Sequence, residues 1–420
     1  MRRLLFNLVY VALLAVLAAA WVRGAWLVPL RNYPFDFSIN YTGARLLSFL
    51  GPDADIYDRM TLAVEAVPYT PYTTLYTKLF LTYIQTPLTA VLLIPVSGLS
   101  LDDARFALLM TSNLMLVAAA AIMVIALRPT RLLVLAAFVI FGTYEAMFDS
   151  LRLGQVDGLI VLCLALSFLA LKKGKPWLVG VPLAGAAILK MSPAIVIGYF
   201  LWRRDWKVVA GAAVSGAVLL AASVAIAGWD NHVTFVQETM PRLAKGSTQY
   251  DNVSLGGALS RWHFGEASWY YDDEVPDWPL GLRLAGLALG GVIVAGGYVL
   301  ARRDAEAGFM LASATAVLVS PIAWSFYPIW FIPSFLFLVS RYEQRRAWGR
   351  LALFAALYPL IAIVPAHFSA VDAELYRYPI KTVVLALYCA MLAWEAQSGR
   401  PAHLAVERRE GRPAAVAGVR

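Results

Sequence analysis

Asp36 lies in Tyr33-Pro-Phe-Asp-Phe-Ser-Ile-Asn-Tyr-Thr-Gly-Ala44, directly after the first apolar stretch of the chain. A carboxylate beside a membrane surface can act as a general base if a hydroxyl comes within hydrogen-bond reach; it can equally cap the helix that follows. Leu153-Gly-Gln-Val-Asp-Gly158 offers Gln155 and Asp157. They can line a polar cavity, with Arg152 nearby to hold a phosphate, or simply form the polar start of a helix. Lys190 stands between two short apolar runs. An ammonium there is costly unless it faces water, a partner or an anion, and phosphate binding is preferred over snorkelling to the surface. In Asp251-Asn-Val-Ser-Leu-Gly-Gly-Ala-Leu-Ser-Arg-Trp262, Asn252 and Ser254 suit sugar hydroxyls and Arg261 suits an anion. The same stretch also reads as a capped amphipathic helix. Trp324, in Ser320-Pro-Ile-Ala-Trp324, can stack on a sugar or belong to an interfacial aromatic belt. His232, His263 and His367 read as ordinary loop residues.

The elements that must position these residues are apolar. The 420-residue chain is 60% hydrophobic and 15% charged, against about 25% charged in soluble domains. Apolar segments recur at 4–22, 104–127, 132–148, 157–171, 177–189, 192–202, 208–227, 280–301, 308–321, 326–340, 349–366 and 379–396. They predict an all-α polytopic membrane protein with about twelve transmembrane helices. The run at 4–22 is longer than the apolar core of a signal peptide and reads as an uncleaved first span. Residues 86–98 are too few to span and carry Pro87 and Pro95. They are expected to dip into the membrane or lie on it.

With 86–98 excluded, one assignment puts every basic cluster in the cytoplasm: Arg2/Arg3, Arg128/Arg131, Lys172/Lys173/Lys175, Arg203/Arg204/Lys207, Arg302/Arg303, Arg341/Arg345/Arg346/Arg350 and the tail. Most of the 27 acidic residues then face outward. Both termini are expected inside. Residues 1–396 form the transmembrane domain, with outer loops at 23–103 and 228–279, and 397–420 reads as a disordered cytoplasmic tail. In the first loop, Ile39, Leu46, Leu47 and Leu50 share a helical face ending at Gly51-Pro52, so that helix is expected to lie flat on the lipid. Tyr57, Tyr69, Tyr72, Tyr76 and Tyr83 follow; the second loop holds Trp229, Trp262, Trp269, Tyr270, Tyr271 and Asp272-Asp273-Glu274. The two apolar pieces around Lys190 are too short to carry their junction across a bilayer, which predicts a sunken cavity there. All the candidate residues above then face one side. Cys163 and Cys389 read as small buried hydrophobes. The +8 net charge is too scattered for a nucleic-acid surface, and no Walker motif, dinucleotide fingerprint or Cys/His metal spacing occurs.

The order Asp36-Phe…Tyr41…Gly43-Ala, Gly154-Gln-Val-Asp157, Leu189-Lys-Met-Ser-Pro193 with Arg203-Arg, Asn252-Val-Ser-Leu255…Arg261 and Ser320-Pro-Ile-Ala-Trp324 resembles glycosyltransferase family 87, over roughly residues 30–340. These are membrane α-1,2-mannosyltransferases and related arabinofuranosyltransferases using polyprenyl-phosphate sugars. The resemblance implies a GT-C fold with membrane-parallel helices in the first outer loop and Asp36 as general base. It implies transfer of one sugar, mannose being expected, from a polyprenyl-phosphate donor to a glycolipid or glycan, with inversion, at the outer face of the plasma membrane. Lys190, Arg261 and Arg152 are the expected phosphate ligands. Gln155, Asp157, Asn252, Ser254, Trp324 and Tyr41 are the expected sugar or acceptor contacts. No cofactor, metal or nucleic acid is expected; membrane lipids are. The chain departs from the family pattern at Asp157, where asparagine is usual, at Val253 and in Lys190-Met-Ser-Pro193. It also has Ser325-Phe-Tyr327 where relatives often carry histidine. A transporter or flippase of lipid-linked sugars is the alternative.

Overall fold

The computed structural model describes residues 2–66, 82–265, 279–362 and 379–398. Among them every regular element is helical, and a single β-bridge pairs Asn252 with Trp324. Helix α1 (Arg3–Arg31) contains a π turn at Arg23–Leu27 and leads through Pro34 into α2 (Phe35–Leu50). Helix α3 (Pro87–Leu93) precedes α4 (Leu101–Ala126), and α5 (Arg131–Thr143) meets α6 (Glu145–Leu153) at a 50° bend. Then come α7 (Asp157–Lys172), α8 (Pro176–Leu189), α9 (Ala194–Trp202), α10 (Trp206–Ala227) and α11 (Leu255–Phe264). The last are α12 (Leu280–Leu300), α13 (Ala305–Val319), α14 (Ile332–Gln344), α15 (Trp348–Ala362) and α16 (Ile380–Ser398). Side-chain caps start several of these helices: Ser100 Oγ accepts from the Asp103 amide, Thr130 Oγ1 from Leu133, and Asp304 from Glu306 and Ala307. Each satisfies amides that a helix start leaves open.

Among the described residues five helices, α1, α4, α10, α12 and α16, are long and apolar enough to cross a membrane, and α5 with α6 makes a sixth if the bent pair counts as one. The protein is a multi-pass membrane protein. The remaining apolar segments of the described residues form shorter helices. The 15 residues of α13 rise about 22 Å at 1.5 Å per residue, short of a hydrocarbon core of about 30 Å. The physical reason is position: residues 307–318 of α13 and 332–340 of α14 are buried in protein. Apolar sequence there reports the core of the bundle, not lipid contact. The run 86–98 forms only the short helix Pro87–Val96.

Helix α2 also differs from expectation. Leu46 and Leu47 are buried against Ala54, Ile56, Leu62, Tyr83, Ala90 and Ala227, with Ile39 bordering them, while Phe49 and Leu50 remain exposed. Leu46 and Leu47 of the face expected on lipid pack on protein, because α3 and the end of α10 supply an apolar surface that removes them from water equally well, while Leu50 of that face stays open. Tyr57 and Tyr83 meet edge to face at 5.3 Å in this layer. Tyr69, Tyr72, Tyr76, Trp269, Tyr270, Tyr271, Asp272–Glu274, His367 and residues 399–420 lie outside the described residues.

The basic loops gather at one end of the bundle. Lys172 pairs with Glu306 at 3.0 Å, and Arg341 binds both Glu306 and Asp304. Arg203 donates to the Arg302 carbonyl, Thr130 to Glu343, and buried Glu395 is held by Arg345 and Arg350. Helix α7 starts at Asp157, in the cluster described below, and ends at Lys172, in this ionic layer.

Helices α8 and α10 touch backbone to backbone. A Cβ on Gly180 would lie 2.1 Å from the Val208 carbonyl oxygen, and one on Gly211 would lie 2.3 Å from that of Trp177. Small residues permit such approach between membrane helices. Gly180→Val is therefore expected to lower the melting temperature of the purified protein, by separation of the pair costing about 1–3 kcal/mol. An unchanged melting curve would contradict this packing.

Candidate functional site

The site is assembled by a turn. Gly154 ends α6 in the left-handed region at φ 72°. Its amide bonds to the Leu151 carbonyl and that of Gln155 to Ser150, the double closure of a glycine-terminated helix. A Cβ on Gly154 would lie 2.5 Å from that of Phe37. Glycine is therefore required twice, for its backbone angle and for the seating of α2 on the turn. That seating brings Asp36, in the first turn of α2, to Gln155.

A chain of polar contacts runs inward from there. Gln155 Nε2 donates to Asp36 Oδ2 at 2.5 Å. Lys190 Nζ reaches Gln155 Oε1 at 3.5 Å and the two oxygens of Asp157 at 2.9 and 3.1 Å. Asp157 also accepts from Ser150 Oγ at 3.2 Å and Trp330 Nε1 at 2.9 Å. Asp157 is 0% exposed, Gln155 3% and Lys190 6%. The ammonium sits 4.0 Å from the centroid of the Tyr327 ring, with Phe326 at 5.1 Å, close enough for cation–π attraction. Lys190 thus finds a partner in Asp157, and its expected contact with phosphate would have to share that bond. Asp36 does not cap α2, which has no side-chain cap.

Arg152 pairs with buried Asp149 through Nε at 3.0 Å and Nη2 at 2.7 Å, and its side chain stays 28% exposed. Arg261 is buried, its Nη1 donating to the carbonyls of Gln249 and Asn252 at 2.8 and 2.9 Å. Asn252 is wholly enclosed. Its Nδ2 donates to the carbonyls of Ser247 and Pro321, and its Oδ1 accepts from the amides of Ala323 and Ser254. Ser254 caps α11 through the Gly257 amide at 2.9 Å. The side chains of Asn252 and Ser254 are therefore engaged in holding the 247–254 loop against 320–324, which leaves the Asn252 amide no free edge for a sugar. Trp324 is half-buried at that junction. Tyr41 does not join the cluster: it is buried and donates to the Leu99 carbonyl at 2.5 Å. Ser320 does reach the Lys190 turn, meeting Ser192 Oγ at 2.9 Å.

Sequence reading missed Trp330, Tyr327, Asp149 and Asp251. Trp330 and Tyr327 lie in an aromatic run where no pattern separates ligand from core. Asp149 did carry a signal, a carboxylate three residues before Arg152 at the end of an apolar run. Asp251 stood inside a quoted stretch and received no role.

Burial raises the Asp36 pKa to about 6, and nearby Asp157 adds to the rise; the Gln155 hydrogen bond and the positive charges of Lys190 and Arg152 pull against it. Asp36 keeps partial exposure, so the carboxylate is crowded by protein without being sealed. A carboxylate of this kind is ionised at neutral pH and more basic than an ordinary aspartate, a combination suited to proton abstraction.

Residues 83–321, more than half of the chain, match the model of glycosyltransferase family 87; Asp36 precedes the match and the rest of the cluster up to Ser320 lies within it. A polyprenol-phosphate-mannose-dependent alpha-(1-2)-phosphatidylinositol mannoside mannosyltransferase of Mycobacterium tuberculosis is 26% identical over 303 residues, 68% of this chain and 67% of that protein. Its namesake in Mycolicibacterium smegmatis is 26% identical over 237 residues, 53% and 51% of the two chains. A polyprenol-phosphate-mannose-dependent alpha-(1-2)-phosphatidylinositol pentamannoside mannosyltransferase of the same organism is 26% identical over 217 residues, 50% of each. The matches thus span two thirds of the first relative and about half of the other two.

Turnover that needs ionised Asp36 is expected to fall below about pH 6, tenfold per unit once the group is mostly protonated. Gln155→Ala removes a bond that favours the ionised form and should move the inflection upward. A pH–rate profile with the same inflection in both proteins would contradict this geometry.

Proposed function

The chain belongs to glycosyltransferase family 87 and is a glycosyltransferase; on that premise we propose that it moves a single mannose from a polyprenyl-phosphate donor to a glycolipid or glycan, with inversion, at the outer face of the plasma membrane. The donor and the class of acceptor follow the names of the relatives, which include phosphatidylinositol mannoside acceptors. We read the architecture as a GT-C arrangement. The outer placement rests on the gathering of basic loops at the end of the bundle away from Asp36, since such loops favour the cytoplasm.

In the proposed step the acceptor hydroxyl gives its proton to Asp36 as its oxygen bonds to the anomeric carbon. The bond from that carbon to the phosphate oxygen breaks, and polyprenyl phosphate departs with the electron pair. Arg152, partly exposed beside the cluster, is the cation best placed to meet the developing phosphate charge. Lys190 acts mainly through Asp157 and Gln155, adding positive potential and fixing Gln155 against the base. The observation carrying the reading is the Gln155–Asp36 bond, which holds a basic carboxylate at the open end of a buried polar chain.

Asp36→Asn is expected to lower mannosyl transfer from polyprenyl-phosphate mannose by about 10²–10⁴-fold, with donor binding retained. Purified Asp36→Asn protein that transfers at the wild-type rate would reject Asp36 as the base.

A further inference from the structure

The loop at 247–254 is anchored from several directions. Asn252 is bonded at both ends of its amide, the Val253 amide donates to the Ala323 carbonyl at 2.7 Å, and Thr382 Oγ1 donates to the Val253 carbonyl at 3.0 Å. The Arg261 guanidinium bonds the carbonyls on either side of Asp251, those of Gln249 and Asn252. The backbone that carries Asp251 is therefore held in place. The Oδ1 of Asp251 is buried and, among the described residues, has no hydrogen-bond partner. A buried carboxylate oxygen left open is destabilising, and such a group calls for a specific explanation.

The surroundings say what kind of ligand would complete it. Asp36, Asp149 and Arg261 lie within electrostatic reach of Asp251. Two of these three neighbours are carboxylates, and Arg261 is engaged with the backbone. An anion is disfavoured at Oδ1, and a neutral hydrogen-bond donor is favoured. A sugar hydroxyl has that chemistry, and Asp36 is the residue such a sugar must approach.

We propose that Asp251 is a carbohydrate-binding residue of this site, its Oδ1 accepting a hydrogen bond from a pyranose hydroxyl. The proposal rests on the mannosyl-transfer reading above and deepens it. Asn252 and Ser254 build the loop, and the residue just before them meets the sugar. Burial, with Asp149 and Asp36 adding, raises the Asp251 pKa to about 7, while a backbone hydrogen bond to the carboxylate and the charge of Arg261 oppose the rise.

The sugar of the donor and the sugar of the acceptor share this chemistry, and one set of measurements on the full-length protein separates them. Wild type and Asp251→Asn are compared for binding of polyprenyl-phosphate mannose, for binding of polyprenyl phosphate lacking sugar, and for initial rates against phosphatidylinositol mannoside. If Asp251 holds the donor sugar, the variant binds polyprenyl-phosphate mannose roughly ten- to hundredfold more weakly and binds bare polyprenyl phosphate as wild type does. If it holds the acceptor sugar, donor binding is unchanged and the acceptor KM rises by a similar factor, with kcat within about threefold. Either result supports the proposal. Unchanged donor binding with unchanged acceptor KM overturns it, as does equal weakening towards bare polyprenyl phosphate. The variant should melt no lower than wild type, because Oδ1 has no bond to lose; a lower melting temperature assigns the carboxylate a structural role and overturns the proposal. Wild-type protein that takes no polyprenyl-phosphate mannose contradicts the proposed reaction instead. Asp251 is then tested by methyl mannoside binding to the same two proteins, where equal affinity, or no binding to either, overturns it.

Discussion

Lys190 and Asp157 are enclosed in an apolar bundle where neither charge is tolerable alone. Removing an ammonium and a carboxylate from water costs several kcal/mol each, and only close contact and further hydrogen bonds offset it. Here the offset is shared widely. Asp157 opens α7, where helix amides favour a negative charge, and receives Ser150, Trp330 and Lys190. Lys190 adds the Tyr327 ring and Gln155. The pair therefore draws α6, α7, the turn between α8 and α9, and the start of α14 to one point. Breaking it by removing a single partner leaves an uncompensated buried charge, at a cost of about 3–5 kcal/mol.

Asp36, the proposed base, is the outermost consequence of that pair. Gln155 is fixed from inside by Lys190 and from its backbone by the Gly154 turn, so its amide nitrogen points at Asp36 and not elsewhere. Asp36 arrives from a different helix whose approach is set by the contact of Phe37 with Gly154. A second anchored loop carries Asp251 within electrostatic reach of Asp36. Hydrogen bonds too modest to order long side chains individually become effective when each is pinned at its other end.

Much of this was legible in the sequence, for reasons that differ by residue. Apolar run lengths located α4, α10, α12 and α16 within a few residues, because long spans have no competing explanation. At 132–148 they met a pair of helices bent by 50°, and at 308–321 a helix shorter than a full span. A bend at Tyr144 and burial inside protein produce the same composition as a span. Asp36, Gln155, Asp157 and Lys190 stood out as polar groups where apolar ones belong, and the structure joins all four. Their division of labour was not legible, since nothing in spacing says that Lys190 spends its charge on Asp157. Asn252 and Ser254 marked the right loop, but an amide that staples two loops and an amide that binds a sugar look identical in a chain of letters. Trp330 was hidden in an aromatic run.

The central role of the buried pair is tested most directly by stability and turnover measured together for Lys190→Met, Asp157→Leu and the double variant. Each single variant should lose about 3–5 kcal/mol of stability and most of its glycosyl transfer. The double variant, with apolar groups facing each other, should regain most of the stability and little of the transfer, because Gln155 is no longer held against Asp36. Single variants as stable and as active as wild type would contradict the dependence of the site on this pair.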